Sequence, residues 1–82
     1  MNIQLVGAIL DTHSRLRDAV RKAAQQKILM RMTETEGRVF AMYGYLQSFW
    51  VEDDKIVVTF YYNGNYRGEE EVELEADDIK DF

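Results

Sequence analysis

Gln26-Lys27-Ile28-Leu29-Met30-Arg31-Met32-Thr33 decides how the chain divides between helix and sheet. Upstream of it, Leu16, Val20 and Ala23 recur at intervals of four and three, joined by Ile9 and Leu5, which is the spacing of one helical face. Within it, Ile28, Met30 and Met32 alternate with Leu29, Arg31 and Thr33, which is the period of a half-buried strand. The change of period predicts a helix over about 4–26 and the first strand directly after it. Asp11 or Thr12 can cap the helix through a side-chain oxygen that accepts an orphan amide, and Asn2 can start a longer one. Residues 3–10 also fit a short strand, because periodicity does not separate the two in so short an apolar run; helix is the preferred reading.

Downstream, Thr35-Glu36-Gly37 reads as a turn. Arg38 to Val51 reads as a long aromatic strand bent at Gly44, where a missing Cβ permits a sharp change of direction. Glu52-Asp53-Asp54 makes the next turn, Lys55 to Tyr62 alternates β-branched and aromatic residues, and Asn63-Gly64 is a two-residue hairpin signal. From Glu70 to Glu75, Val72 and Leu74 face one way and Glu71, Glu73 and Glu75 the other, a half-buried strand with an acidic outer face. A short strand or turn is expected from Asp77 to Phe82. The expected fold is α+β: an N-terminal helix followed by a strongly bent antiparallel sheet of four or five strands, closed as in SH3-like or Sm-like barrels, all in one domain spanning 1–82.

Composition narrows the function classes. Hydrophobic residues at 46% of the 82 give enough apolar surface to fold, in contrast to a disordered tail. Ten Lys and Arg against fifteen Asp and Glu leave a net charge of −5, which repels phosphate backbones and excludes a generic nucleic-acid coat. The absence of cysteine excludes disulfides, thiolate catalysis and Cys-ligated metals, and the single histidine, His13, excludes multi-histidine metal sites. No cofactor is implied. The apolar run Leu5 to Leu10 is too short for a signal peptide or a membrane span, so a soluble, cytoplasmic protein is expected. A chain this small buries a modest core, and sharing surface between copies is the natural remedy; a homo-oligomer is expected.

Charge is divided unevenly. Residues 1–38 carry seven basic and four acidic side chains, a balance of +3, whereas residues 39–82 carry three basic and eleven acidic, a balance of −8. Two solvated faces of opposite sign, an anion site on the basic half, and contacts between subunits all fit this asymmetry. Arg17, Arg21 and Lys22, with Arg15 one turn earlier, form a basic surface opposite the Leu16 and Val20 stripe. Tyr61-Tyr62-Asn63-Gly64-Asn65-Tyr66-Arg67-Gly68 combines stacking faces, amides and a guanidinium, the groups that grip a nucleobase or a protein. Together they point to an anionic, nucleotide-like ligand held between Arg17 or Arg21 and Tyr62, Tyr66 or Arg67. Tyr43, Tyr45 and Trp50 read two ways: aromatic residues in a strand are usually core or cross-strand packing, and they also offer stacking faces.

The acidic residues support a different reading. Glu69, Glu71, Glu73, Glu75, Asp77 and Asp78 keep an edge strand soluble, and a catalytically bare acidic protein can also occupy the basic groove of a nuclease or another nucleic-acid-binding enzyme. The spacing of Asp53-Asp54 and Asp77-Asp78 matches no cation-binding loop, so no metal site is expected. His13 and Ser14 are adjacent on a predicted helix and cannot face each other as base and nucleophile, so an enzyme is not expected.

Leu16-Arg17-Asp18-Ala19-Val20, Ile28-Leu29-Met30, Gly44-Tyr45-Leu46, Ile56-Val57-Val58, and Val72-Glu73-Leu74 with Asp78-Ile79, taken in that order, resemble the small YolD-like proteins of bacteria and phages and, in element order, the Sm-like barrels. The resemblance implies a small barrel, ring formation through edge strands and RNA binding in the Sm-like case, and a link to translesion polymerases in the YolD-like case. In this chain the acidic strand stands where Sm-like proteins carry basic and polar RNA contacts. A phage or bacterial setting would suit sequestration of a nucleotide signal, with adaptor for a polymerase or transcription factor as a third reading.

Overall fold

Leu, Met and Arg are good helix formers, and no Gly or Pro interrupts the chain between Ser14 and Glu36. The computed structural model, which describes residues 2–37, 42–64 and 67–79, accordingly carries one unbroken helix through Ser14–Glu36 (α2). The strand expected at 28–33 is therefore the last third of a helix. Val20, Ala24, Ile28 and Met32 continue a single i, i+4 series, so Ile28 and Met32 satisfy both periods and only Met30 separates them. Met30 is 52% exposed, as the helical period requires and a core-facing strand position would not allow. The helix stops at Gly37, whose left-handed φ of 72° lets its amide donate to the Thr33 carbonyl at 2.8 Å.

The N-terminal segment is a separate short helix, Ile3–Ile9 (α1), capped by Asn2, whose side-chain oxygen accepts from the amides of Gln4 at 2.9 Å and Leu5 at 3.2 Å. The single helix expected over 4–26 is thus two. The N-cap of α2 is His13 instead of Asp11 or Thr12: its Nδ1 accepts from the Leu16 amide at 3.1 Å. Arg17 spans the break, its guanidinium donating to the carbonyls of Leu10 and Asp11, which would otherwise be orphan acceptors at the end of α1.

Three strands follow, Met42–Glu52 (β1), Lys55–Gly64 (β2) and Gly68–Leu74 (β3), then a 3-10 turn at Ala76–Asp78. They form an antiparallel meander in the order β1-β2-β3. Among the described residues the sheet has three strands and is open, in place of the four- or five-stranded barrel expected. With 28–33 spent on α2, three strands set about 5 Å apart cannot curl round to meet. Residues 38–41 at the expected start of the second strand, and 80–82 at the expected closing element, lie outside the described residues. Asp53-Asp54 makes the tight turn, with Glu52 opposite Lys55. Asn63 and Gly64 do not form a two-residue hairpin; they stay in β2 opposite Tyr43 and Met42, and β3 begins opposite Tyr62 at Gly68.

Both helices pack on one face of the sheet. Leu10, Leu16, Val20, Ala24 and Ile28 meet Ile56, Val58, Phe60, Val72 and Leu74, all essentially without solvent contact apart from Val72 at 7%. The pairing register is regular at Gly44. The missing Cβ of that residue makes room for the ring of Phe60, which a Cβ would overlap, and the register irregularity falls three residues later, between Leu46 and Ser48. No helix is long and apolar enough to cross a membrane among the described residues.

Candidate binding face

The irregularity at Gln47 determines what the uncovered face of the sheet presents. Strict alternation would put Tyr43 and Tyr45 on one face of β1 and Trp50 on the other. The extra residue reverses the alternation, so that Gly44, Leu46, Phe49 and Val51 turn inward while Tyr43, Tyr45, Ser48 and Trp50 turn outward. Cross-strand pairing then sets Tyr45 beside Tyr61 and Glu69, Ser48 beside Thr59 and Glu71, and Trp50 beside Val57 and Glu73. Ring centroids of Tyr45 and Tyr61 lie 5.3 Å apart, and the Ser48 and Thr59 hydroxyls are hydrogen-bonded at 3.0 Å.

This face is an aromatic stripe bordered by a carboxylate stripe. Tyr43 is 76% exposed, Tyr45 52% and Trp50 39%, whereas Val57, between Trp50 and Glu73, retains 3% of its surface. Trp50 donates its indole N–H to Glu52 at 3.2 Å, which fixes the ring at the end of the stripe. Lys55 pairs with Glu73 at 3.3 Å, and that carboxylate holds the ammonium pKa above its ordinary value. Glu69 and Glu71 complete the border at the i, i+2 spacing of about 6.7 Å that an extended strand imposes.

Among the described residues most of the basic side chains are already engaged. Arg21 bonds Asp18 at 3.0 Å and Gln25 at 3.1 Å, and Lys22 reaches the same Asp18 at 3.1 Å. Hydrogen bonds from Arg21 and Lys22 lower the Asp18 pKa. Lys27 bridges to Asp78 at 2.9 Å, and Arg31 to Glu70.

The ligand site expected from the sequence joins residues that the structure places apart in role. Arg17 braces the α1–α2 break and Arg21 is tied to its own helix. Tyr62 points inward at 9% exposure, opposite Gly44 and Gly68, with Arg31 and Glu70 as its charged neighbours. Arg67 is exposed in the β2–β3 connection, and Tyr66 lies outside the described residues. The acidic set is also divided. Glu69, Glu71 and Glu73 share the outer face, while Glu75, Asp77 and Asp78 sit at the 3-10 turn, where Asp78 accepts from the Glu75 amide at 2.8 Å. Among the described residues there is no cluster of three or more His, Cys, Asp or Glu able to hold a metal ion. What sequence reasoning left out of the site is Tyr45, Tyr61 and Trp50 acting together, since the bulge that gathers them has no period to announce it.

Tyr62 supplies a pH test of the inner face. Burial first, then the charge and hydrogen bond of Glu70, raise its phenol pKa, against a smaller opposing effect of Arg31. A raised folded-state pKa favours the neutral phenol, so this contribution is complete below the unfolded value near about 10 and is lost as pH rises through the higher folded value. Urea denaturation at successive alkaline pH values is expected to show a shallower loss of stability for Tyr62→Phe than for the wild type; equal slopes would remove Tyr62 from the account.

The fold and face together describe a small α+β domain with two helices on one side of an open three-stranded sheet and an aromatic–acidic surface on the other. In comparison with known proteins, no family model matches the chain, and neither a curated protein nor a solved structure gives a significant match.

Proposed function

We propose that this protein is a non-enzymatic binding module that captures an arginine-rich surface of a protein partner on the outer face of its sheet. One observation carries the reading: Tyr43, Tyr45 and Trp50 are exposed on the same face as Glu69, Glu71 and Glu73. Aromatic faces attract a guanidinium through the ring quadrupole, and carboxylates bind its N–H fork. Side by side they form a receptor for Arg in preference to Lys, whose point charge neither stacks nor forks. The surfaces that nucleic-acid-binding enzymes turn toward phosphate are rich in such arginines, and a chain of net charge −5 is drawn to them by complementary fields. Blocking such an enzyme is the function that follows.

Trp50, the one tryptophan in the chain, reports on the site directly. Titration with an oligo-arginine peptide is expected to change its fluorescence at low salt, with an oligo-lysine peptide of equal charge binding more weakly. Tyr43→Ala with Tyr45→Ala leaves the net charge unaltered and is expected to weaken arginine binding about tenfold, the size of one or two cation–π contacts. Equal affinity for the two peptides, untouched by the tyrosine changes, would reduce the interaction to bulk charge and overturn the reading. Binding of an anionic nucleotide that Arg21→Ala abolishes would move the function to the basic helix.

A further inference from the structure

We infer that β1 is an interface for a second copy of this chain, pairing antiparallel with its own counterpart over Met42–Leu46, and that the protein is a dimer with one continuous six-stranded sheet. The inference concerns the edge of the sheet and holds whether or not its outer face takes an arginine-rich partner.

The sheet has two edges, and they are built differently. On β3, Lys27 donates to the main-chain carbonyl of Glu73 at 2.9 Å, which occupies an acceptor that an added strand would need. Glu69, Glu71 and Glu73 lie along the same strand, so a second copy brought there would meet like charges. None of these devices is present on β1. Its residues Met42 to Val51 include no charged side chain and no proline, and among the described residues no side chain is hydrogen-bonded to its main chain from outside the sheet. An uncharged ten-residue edge with exposed aromatics is the kind of strand that pairs unless something prevents it.

The occupant follows from charge and symmetry. Antiparallel pairing about a two-fold axis is self-complementary, and a neutral strand meets its own copy without repulsion although the chain as a whole carries −5. Pairing of β1 with the β3 of another copy would propagate into a filament; the blocked β3 edge stops that and leaves a closed dimer. The half of β1 beyond the bulge is less open, because α1 packs on Val51 through Gly7 and Asp11 and Arg17 lie beside Leu46–Phe49. Met42–Leu46 remains. An axis at Gly44 sets Tyr43 opposite Tyr45 of the second copy, on the outer face, and joins the two aromatic stripes at the centre of the sheet with a carboxylate border on each flank.

Native mass spectrometry with light scattering over a concentration series is expected to give twice the 9.6 kDa chain mass. The 9.6 kDa species alone, up to the highest soluble concentration, would overturn the inference. Because the chain has no cysteine, register is testable by introducing one. A mixture of Tyr43→Cys and Tyr45→Cys chains is expected to form a disulfide-linked heterodimer on mild oxidation faster than either variant links to itself. Glu71→Cys on β3 serves as the control for collision and is expected to stay unlinked. Linking of Glu71→Cys as fast as of the β1 pair would also overturn it. Oligo-arginine binding measured on the unsubstituted protein of the concentration series scores the outer face separately.

Discussion

Met30→Pro is expected to abolish the folded state or to cost about 3 kcal/mol or more, and Met30→Ala to leave stability unchanged or slightly raised. Position 30 lies in the middle of the last half of α2, with its side chain 52% exposed, so neither change touches the core. Proline there removes the amide bond to residue 26 and drives its ring into that carbonyl, whereas alanine is the best helix former and loses only an exposed thioether. The pair isolates backbone conformation from packing. Circular dichroism with urea denaturation reads both. Were 28–33 a strand with Met30 facing the core, alanine would no longer be harmless: it would open a cavity and cost about 2 kcal/mol or more.

The second large effect is centred on Phe60 and Gly44. Phe60 has no solvent-exposed surface, and its truncation to alanine is expected to cost about 3–5 kcal/mol, a large part of the stability of a domain this size. Gly44→Ala is expected to cost about 1–3 kcal/mol by the opposite route. A Cβ at 44 would overlap the Phe60 ring and come within 2.5 Å of the Tyr61 carbonyl oxygen, and the carbonyl belongs to the paired strand and cannot swing away. The two sites share one volume, so their effects are not additive. Phe60→Leu in the Gly44→Ala background is expected to destabilise by less than the sum of the two single changes. Strict additivity would mean that the glycine is required for some reason other than the ring.

Local features of the chain were legible where one physical signal acted alone. The alternation of Val72 and Leu74 with Glu71 and Glu73, and of Ile56, Val58 and Phe60 along β2, reads directly as strands because each buries one face against the same core. The stretch 28–33 misled because two periods coincide there: residues spaced by four and by two both include Ile28 and Met32, and helix cooperativity, which carries a nucleated helix on through good helix formers such as Leu29, Met30 and Arg31, decided between them. The two-residue hairpin at Asn63-Gly64 was displaced for a related reason. β1 is long enough to pair with residues beyond Tyr62, and those ladder bonds hold Asn63 and Gly64 in β2.

Charge gave a partial map of the candidate site. The excess of acid after residue 38 is visible in composition, and three of its carboxylates do lie on one face. The basic helix, equally visible, is largely engaged: Arg17 holds the end of α1, and Asp18 gathers Arg21 and Lys22. A count of charges cannot register such pairings, because they depend on which side chains come within a few ångströms.

By itself the sequence determined the α+β class, the acidic strand and the turn at Asp53-Asp54, since each follows from the preferences of a few neighbouring residues. Tertiary structure decided the rest. The run of β2 past Asn63 and Gly64 depends on contacts between residues far apart in the chain, and so does the gathering of Tyr43, Tyr45 and Trp50 on one face. The last case shows the reason most plainly: one extra residue at Gln47 inverts every side chain after it, and what holds that inversion in place is the packing of the half-buried Phe49 and Val51 on the core, Val51 against Gly7 at the far end of the chain.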